Sequence, residues 1–232
     1  MTFDAKNLKV YQCAFWNEGD EHGGDIDLAN EISLSKIEQN IFDDITNAER
    51  VAGDIDYRKI FVRNENEETW AAVMAWISQL TLSSDDEIKI LAAGTKSKES
   101  TPVAITGTCT FEEGQAVVGV GTAFLTELAK GECIYNATDD EESDACAILT
   151  ITDDTHLTLA DDYGGTAGSG KTTNLAGVDV CLLFGSPVTK ATGLSLGDIA
   201  ENEYKGIWIK RTVDAAASGY ENNQFALKLE SS

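Results

Sequence analysis

The chain predicts an all-β fold: a β-sandwich, immunoglobulin-like or jelly-roll-like, carrying an inserted small β-barrel or sandwich domain. Three stretches predict it. Residues 56–64, DYRKIFVRN, alternate Tyr57, Lys59, Phe61 and Arg63 against Asp56, Arg58, Ile60 and Val62. A period of two in aromatic and β-branched residues is the pattern of a half-buried strand. Residues 204–213, YKGIWIKRTV, repeat that make-up near the C-terminus. Residues 101–177 are rich in Thr, Gly and Asp, and their short alternating runs are broken by turn signals at the spacing of a small barrel or sandwich.

Taken in order, 8–16 (LKVYQCAFW) reads as the first strand, and 17–25 as a polar loop containing glycine. Residues 26–45 carry Ile26, Leu28, Ile32, Leu34, Ile37, Ile41, Phe42 and Ile45 without a clean period, which suggests short strands and turns. Residues 47–54 make one helical turn ended by Gly53. Residues 70–80 fit both periods: Trp70, Val73, Met74, Ile77 and Leu80 at helical spacing, Trp70, Ala72, Met74 and Trp76 at strand spacing. Their place between β-like runs favours a strand. Residues 87–92 (EIKILA) form the next, and 94–102 read as a polar linker marking a boundary. Strand-like apolar character returns at 178–184 (VDVCLLF) and again at 223–230. The simplest organisation is one β-domain, 1–94 plus 178–232, with a second, 95–177, inserted at a loop where the guest's ends lie close together.

Charge narrows the function. Of 232 residues, 40 are acidic and 17 basic, a net charge of -23. Such a surface repels nucleic-acid phosphates and anionic membranes, so no nucleic-acid or membrane partner is expected. It suits solubility or basic partner subunits. No run of about 20 apolar residues offers a membrane span, and the N-terminus lacks a signal-peptide pattern, so synthesis and assembly in a cytoplasm are expected. Cys13, Cys109, Cys133, Cys146 and Cys181 form no C-x-x-C pair and read as small buried apolar residues. Their odd number leaves room for a bond to a neighbouring chain outside the cell.

The loudest motif is 165–172, GTAGSGKT, in which Gly165, Gly170, Lys171 and Thr172 match the phosphate-cradling loop G-x-x-x-x-G-K-[ST]. That loop needs a buried strand before it and a helix after it, whose N-terminus faces the phosphate. Here Asp161, Asp162 and Tyr163 separate it from the preceding apolar run, and Gly177 comes too soon for a helix. A hairpin loop is expected, with no nucleotide cofactor. The acidic pairs Asp25/Asp27, Asp43/Asp44, Asp54/Asp56, Asp85/Asp86, Asp153/Asp154 and Asp161/Asp162, with the run 139–142, lack EF-hand order and read as solvated turns. His22, in the polar loop, and His156, at a strand edge, supply neither a triad nor a zinc site. Trp16, Trp70, Trp76 and Trp208 read as core rather than as sugar platforms. No catalytic, cofactor or metal residue is expected.

Two blocks carry a resemblance. The strand Y-R-x-I-x-V-x-N (57–64), the strand V-x-x-W-I (73–77) and the late segment IWIKRTVDAAA (207–217) resemble a β-sandwich module in virion structural proteins of tailed bacteriophages. Within 101–177, GVGTAFLTELAKGECI (119–134) and LTLADDYGGTAGSG (157–170) are similar to a small β module of phage tail and appendage proteins. There the glycine-rich loop is an ordinary turn. The resemblance implies a non-enzymatic particle component in the tail, neck or baseplate, partnered by itself and other virion proteins. Capsid decoration and a receptor- or glycan-binding appendage are its alternatives. Loops 17–25 and 214–222 would be contact arms.

Overall fold

The computed structural model describes residues 7–32, 41–181, 183–219 and 224–231. The expectations at 33–40 and 220–223 lie outside them.

In chain order the elements are β1 (Leu8–Phe15), β2 (Gly23–Glu31), α1 (Asn47–Ala52), β3 (Asp54–Asn64), β4 (Trp70–Gln79) and β5 (Asp86–Ala93). Then come β6 (Val103–Ala104), β7 (Thr108–Phe111), β8 (Ala116–Val120), α2 (Phe124–Glu127), β9 (Cys133–Asn136) and β10 (Cys146–Asp153). Last are β11 (His156–Leu159), β12 (Gly168–Lys171), β13 (Thr173–Leu175), β14 (Leu194–Ile199), β15 (Tyr204–Val213) and β16 (Ala226–Ser231). The fold is all-β, with antiparallel sheets.

The described chain packs into two compact units: Met1–Gln12, Ile26–Leu91 and Phe184–Ser232 form the first, Cys13–Asp25 and Ala92–Leu183 the second. Residues 13–25 therefore belong with the second unit rather than with the N-terminal domain. The cause is hydrogen bonding: Gly24 N–H donates to Ser97 O (2.9 Å), Glu99 N–H to His22 O (2.8 Å) and Ser100 N–H to Asp20 O (3.1 Å). The same bonds tie 94–102, read as a polar linker at a boundary, into the second unit, which resumes at Ala92. Ser97 is buried, and Thr95, Val178 and Asp179 extend the network through Thr126 O, Lys98 O and Glu99 O.

The first unit has the two-sheet make-up of a sandwich, with strand orders β2-β1-β3-β15-β5 and β14-β4-β16. Strand β3 lies between β1 and β15, with Leu8 opposite Asn64 and Trp208 opposite Lys59. Tyr57 to Val62 are all buried, so this strand is covered on both faces rather than half-exposed. Phe184 packs against Tyr57 on one face, while Phe42 lies against the Arg58 and Arg211 guanidiniums on the other. Burying each large apolar side chain contributes about 1.5–3 kcal/mol. Trp70, Trp76 and Trp208 are core residues. Residues 70–79 are a strand, paired to β14 and β16; tertiary pairing decides what the period left open. Helix α1 starts at a Thr46–Glu49 capping box and stops at Gly53, whose φ of 81° suits glycine.

The second unit's sheet closes on itself. Strands β6 and β7 pair with β13 and β12, with Ala104 opposite Asn174 and Cys109 opposite Lys171; Ile105 N–H donates to Thr173 O across the bend. From there the pairing runs β7-β8-β11-β10-β9-β13 and returns to its start. Closure leaves the ring without a free edge. Inward residues of alternating strands fill it: Cys109, Phe111, Val117, Ile134, Ile148, Leu157, Leu159 and Leu175, with Phe124 and Leu128 from α2 and its C-terminal end.

Residues 178–184 depart from expectation. They hold a 3-10 turn, Val178–Val180, instead of a strand. The bond from Val180 N–H to Gly177 O, 3.1 Å long, satisfies the backbone locally before any sheet partner can.

Candidate functional site

The glycine-rich segment 165–172 carries the strongest functional motif in the sequence, and its surroundings decide what it can do. Its second half is β-structure: β12 runs alongside β7 up to Lys171, and β13 begins directly after Thr172. Beyond Thr172 the chain enters this strand of the barrel wall, so no helix N-terminus faces the loop.

The loop nevertheless wraps an anion, one supplied by the chain itself. Asp140 accepts hydrogen bonds from the Thr166 backbone N–H (2.8 Å to Oδ2) and from the Tyr163 hydroxyl (2.8 Å). The Lys171 amine pairs with Asp139. Asn136, fully buried, donates to Asp139 Oδ2 (3.1 Å) and to Thr166 O (2.9 Å), while its own Oδ1 accepts from Thr138 N–H. Gly165 is needed for packing: a Cβ there would run into the Asp140 carboxylate. At Gly170 the need is conformational, a φ of 67° with open space around it. Thr172 donates its backbone N–H to Thr138 Oγ1 (2.9 Å).

The electrostatics agree with that geometry. Hydrogen bonds from Lys171 and then Asn136 hold Asp139 below the ordinary carboxylate range. For Asp140 burial pushes the other way, but the bonds from Thr166 and Tyr163 outweigh it and the net shift is downward. Burial, reinforced by Asp140, raises the Tyr163 phenol. The loop is thus a latch closed over two internal carboxylates.

The histidines are placed differently from their sequence context. His22 is 0% exposed although it lies in a polar stretch, because its ring packs on Trp16 at 5.3 Å between centroids. Its Nδ1 lies 2.9 Å from Asn17 O and 3.3 Å from Asn17 N, and its Nε2 lies 3.6 Å from Cys13 Sγ. A thiol beside an imidazole is a nucleophile–base pair in type. With Cys13 1% exposed, the pair is closed to any substrate and fastens the turn of 17–22 instead. His156, at the start of β11, pairs with Asp153 (2.9 Å), whose carboxyl this bond draws down to about 2.

Several acidic pairs read as turns are in strands. Asp56 on β3 is bound by Arg211, and Asp86 at the start of β5 is buried. Sequence reasoning also passed over two buried glutamates. Glu127 accepts from Thr106 N–H (2.8 Å) and pairs with Lys96 (2.8 Å). Glu132 accepts from Gly94 N–H (2.9 Å) and Ala129 N–H (2.8 Å). Neither follows a local pattern, since their partners lie far away or on backbone. Among the described residues no group of three or more His, Cys, Asp or Glu is arranged to hold a metal ion.

Comparison with protein-family profiles, with curated proteins and with solved structures finds no match to this chain.

Proposed function

We propose that the chain is a non-enzymatic structural component of a tailed bacteriophage particle, acting through contacts with copies of itself and with neighbouring virion proteins in the tail, neck or baseplate. The observation that carries the reading is the internal use of its most reactive groups. Lys171 is spent on Asp139, His22 on Asn17 and Cys13, and His156 on Asp153. What the chain presents outward is a strongly acidic surface on two antiparallel β units. Like charge keeps assembled copies apart and favours basic neighbours. The resemblance of 57–64, 73–77 and 207–217 to virion sandwich modules supplies the particle context.

Immunogold electron microscopy of purified particles tests it, with antibody raised against the full chain. Label on the tail, neck or baseplate is expected. Label confined to the head would replace this location with capsid decoration, and absence of the chain from particles would overturn the proposal. Binding of the full chain to host polysaccharide would turn it into a receptor module.

A further inference from the structure

We infer that the outer edge of β16 joins a second copy of this chain in a two-fold, antiparallel strand pairing. A strand at the edge of a sheet recruits another strand unless something blocks it. The sheets of the first unit have four edges, β2, β5, β14 and β16, and three are guarded. On β2 the Asp27 carboxylate takes the Ala29 N–H at 2.9 Å. On β5 Gly185 exchanges two backbone bonds with Ile90, at 2.8 and 3.1 Å, and Ser186 Oγ donates to Ile88 O. Strand β14 is irregular, with two register shifts against β4 and Gly197 at a φ of 71°. Strand β16 keeps unbroken register against β4 from Leu227 to Ser231, and among the described residues no strand pairs with its outer side.

Backbone geometry fixes which groups this edge offers. Ile77 N–H donates to Pro187 O, away from β16, so Leu227, opposite Ile77, turns its own N–H and C=O outward. Alternation turns Leu229 and Ser231 outward as well, while Lys228 and Glu230 face β4. A two-fold axis at Leu229 then sets it opposite the partner's Leu229, and Leu227 opposite the partner's Ser231, in hydrogen-bonded pairs. The same register brings Lys228 opposite the partner's Glu230, and Glu230 opposite the partner's Lys228, in the closer, non-hydrogen-bonded positions. Opposite charges placed directly across two strands attract. Lys228 and Glu230 are 56% and 50% exposed on one face, 3.4 Å apart, so the paired edges build a cluster of four charges alternating in sign. On the other face Leu227 and Leu229 are only half-buried, although Ile77 and Ala75 opposite them are buried. A partner strand covers these leucines further. The edge carries both signs in self-complementary order, which suits a second copy better than a strand of one charge. The inference rests on the self-association in the particle reading and gives it a surface.

Sedimentation velocity of the full chain, from low to high micromolar concentration, tests it. A monomer–dimer equilibrium is expected. Lys228→Glu and Glu230→Lys each set like charges across the axis, and each alone should weaken the dimer about tenfold or more. Mixed one to one, the two variants oppose acid to base again and should pair with each other. Both singles lose the Lys228–Glu230 contact within the chain, so recovery on mixing reports only the contact between chains. Leu229→Pro removes an outward N–H that β4 does not use, and should abolish the dimer while circular dichroism stays that of the parent. A monomer at every concentration, self-association that survives either single charge variant, or a mixture that fails to pair would overturn the inference. None of these results bears on where antibody labels the particle, so the two readings fail separately.

Discussion

The amine of Lys171, in the loop that most resembles a phosphate cradle, is paired with the carboxylate of Asp139. An external phosphate would have to displace this carboxylate and that of Asp140 while meeting their charge. ATP with Mg²⁺ is therefore expected to leave the unfolding temperature unchanged; a rise that vanishes in Lys171→Ala would refute the latch. Asp140→Ala frees the Tyr163 hydroxyl and the Thr166 N–H together and should cost about 1–3 kcal/mol in denaturant unfolding.

Gly94 is held against the chain at the end of α2. A Cβ on it would overlap the Glu127 carbonyl, with the Glu127 C at 2.6 Å and Leu128 Cα at 2.7 Å. Backbone cannot rotate away as a side chain can, so Gly94→Ala should cost about 3 kcal/mol or more. Gly164 has nothing within 4 Å of its added Cβ and no positive φ. Gly164→Ala should be neutral or stabilising by up to about 1 kcal/mol. Urea midpoints for the two variants compare them directly, and equal midpoints would remove the steric argument.

Arg211 reaches the Asp56 carboxylate with Nε (3.0 Å) and Nη2, donates Nη1 to Asp43 O (2.9 Å), and stacks 4.7 Å from the Phe42 centroid. Arg211→Ala strands a partly buried carboxylate and should cost about 3 kcal/mol. Lysine keeps the charge but not the planar fork, so Arg211→Lys is expected to recover less than half of the loss. Full recovery by lysine would show that charge alone matters there.

Carboxylates of the second unit and those on β3 and β5 of the first should respond to acid in opposite directions. In the second, Glu127, Asp139, Asp140 and Asp153 sit below their ordinary values, Asp153 at about 2. A depressed carboxylate stabilises above its unfolded pKa, and that contribution is lost as pH falls through the folded one. In the first, burial and then the Asp56 charge raise Asp54, and burial raises Asp86 against the opposing pull of Arg211. There the charged form is penalised, so stability is gained as pH falls through the raised values toward 3.8. Hydrogen exchange, corrected for intrinsic rates, should show β11 losing protection relative to β3 between about pH 5 and pH 3. Comparing units within one chain cancels the general relief of charge repulsion. The opposite order would disprove the assignment.

Ala216 lies in the left-handed region, at φ 62°, where its N–H reaches Val51 O (3.2 Å). Glycine carries no Cβ penalty there, so Ala216→Gly should raise stability by about 0.5–1 kcal/mol despite its greater unfolded entropy. A loss measured by chemical denaturation would show that the turn prefers its methyl.

Strands with an uninterrupted period of two were legible from residue order. The runs at 56–64 and 204–213 became β3 and β15, and the Thr46–Glu49 cap with Gly53 bounded α1 as local chemistry dictates. The absence of a helix after the glycine-rich loop was likewise legible, because Gly177 leaves no length for one. Most of what resisted reading had partners remote in sequence. The exception is 178–184, where apolar composition suggested a strand, yet the backbone found a closer partner in its own turn.

By itself, the order of residues determined that the chain is all-β, where most strands run, and that its surface is acidic, because alternation, turn residues and charge act over a few neighbours. Tertiary structure alone decided that 13–25 packs with 92–183, that His22 is buried, and that the barrel closes through β6–β13. It also decided that Asp139 and Asp140 fill the glycine-rich loop. His22 apart, whose partners Cys13, Trp16 and Asn17 are near in sequence, each of these rests on hydrogen bonds between segments far apart along the chain, and their energy depends on distances that no local pattern encodes.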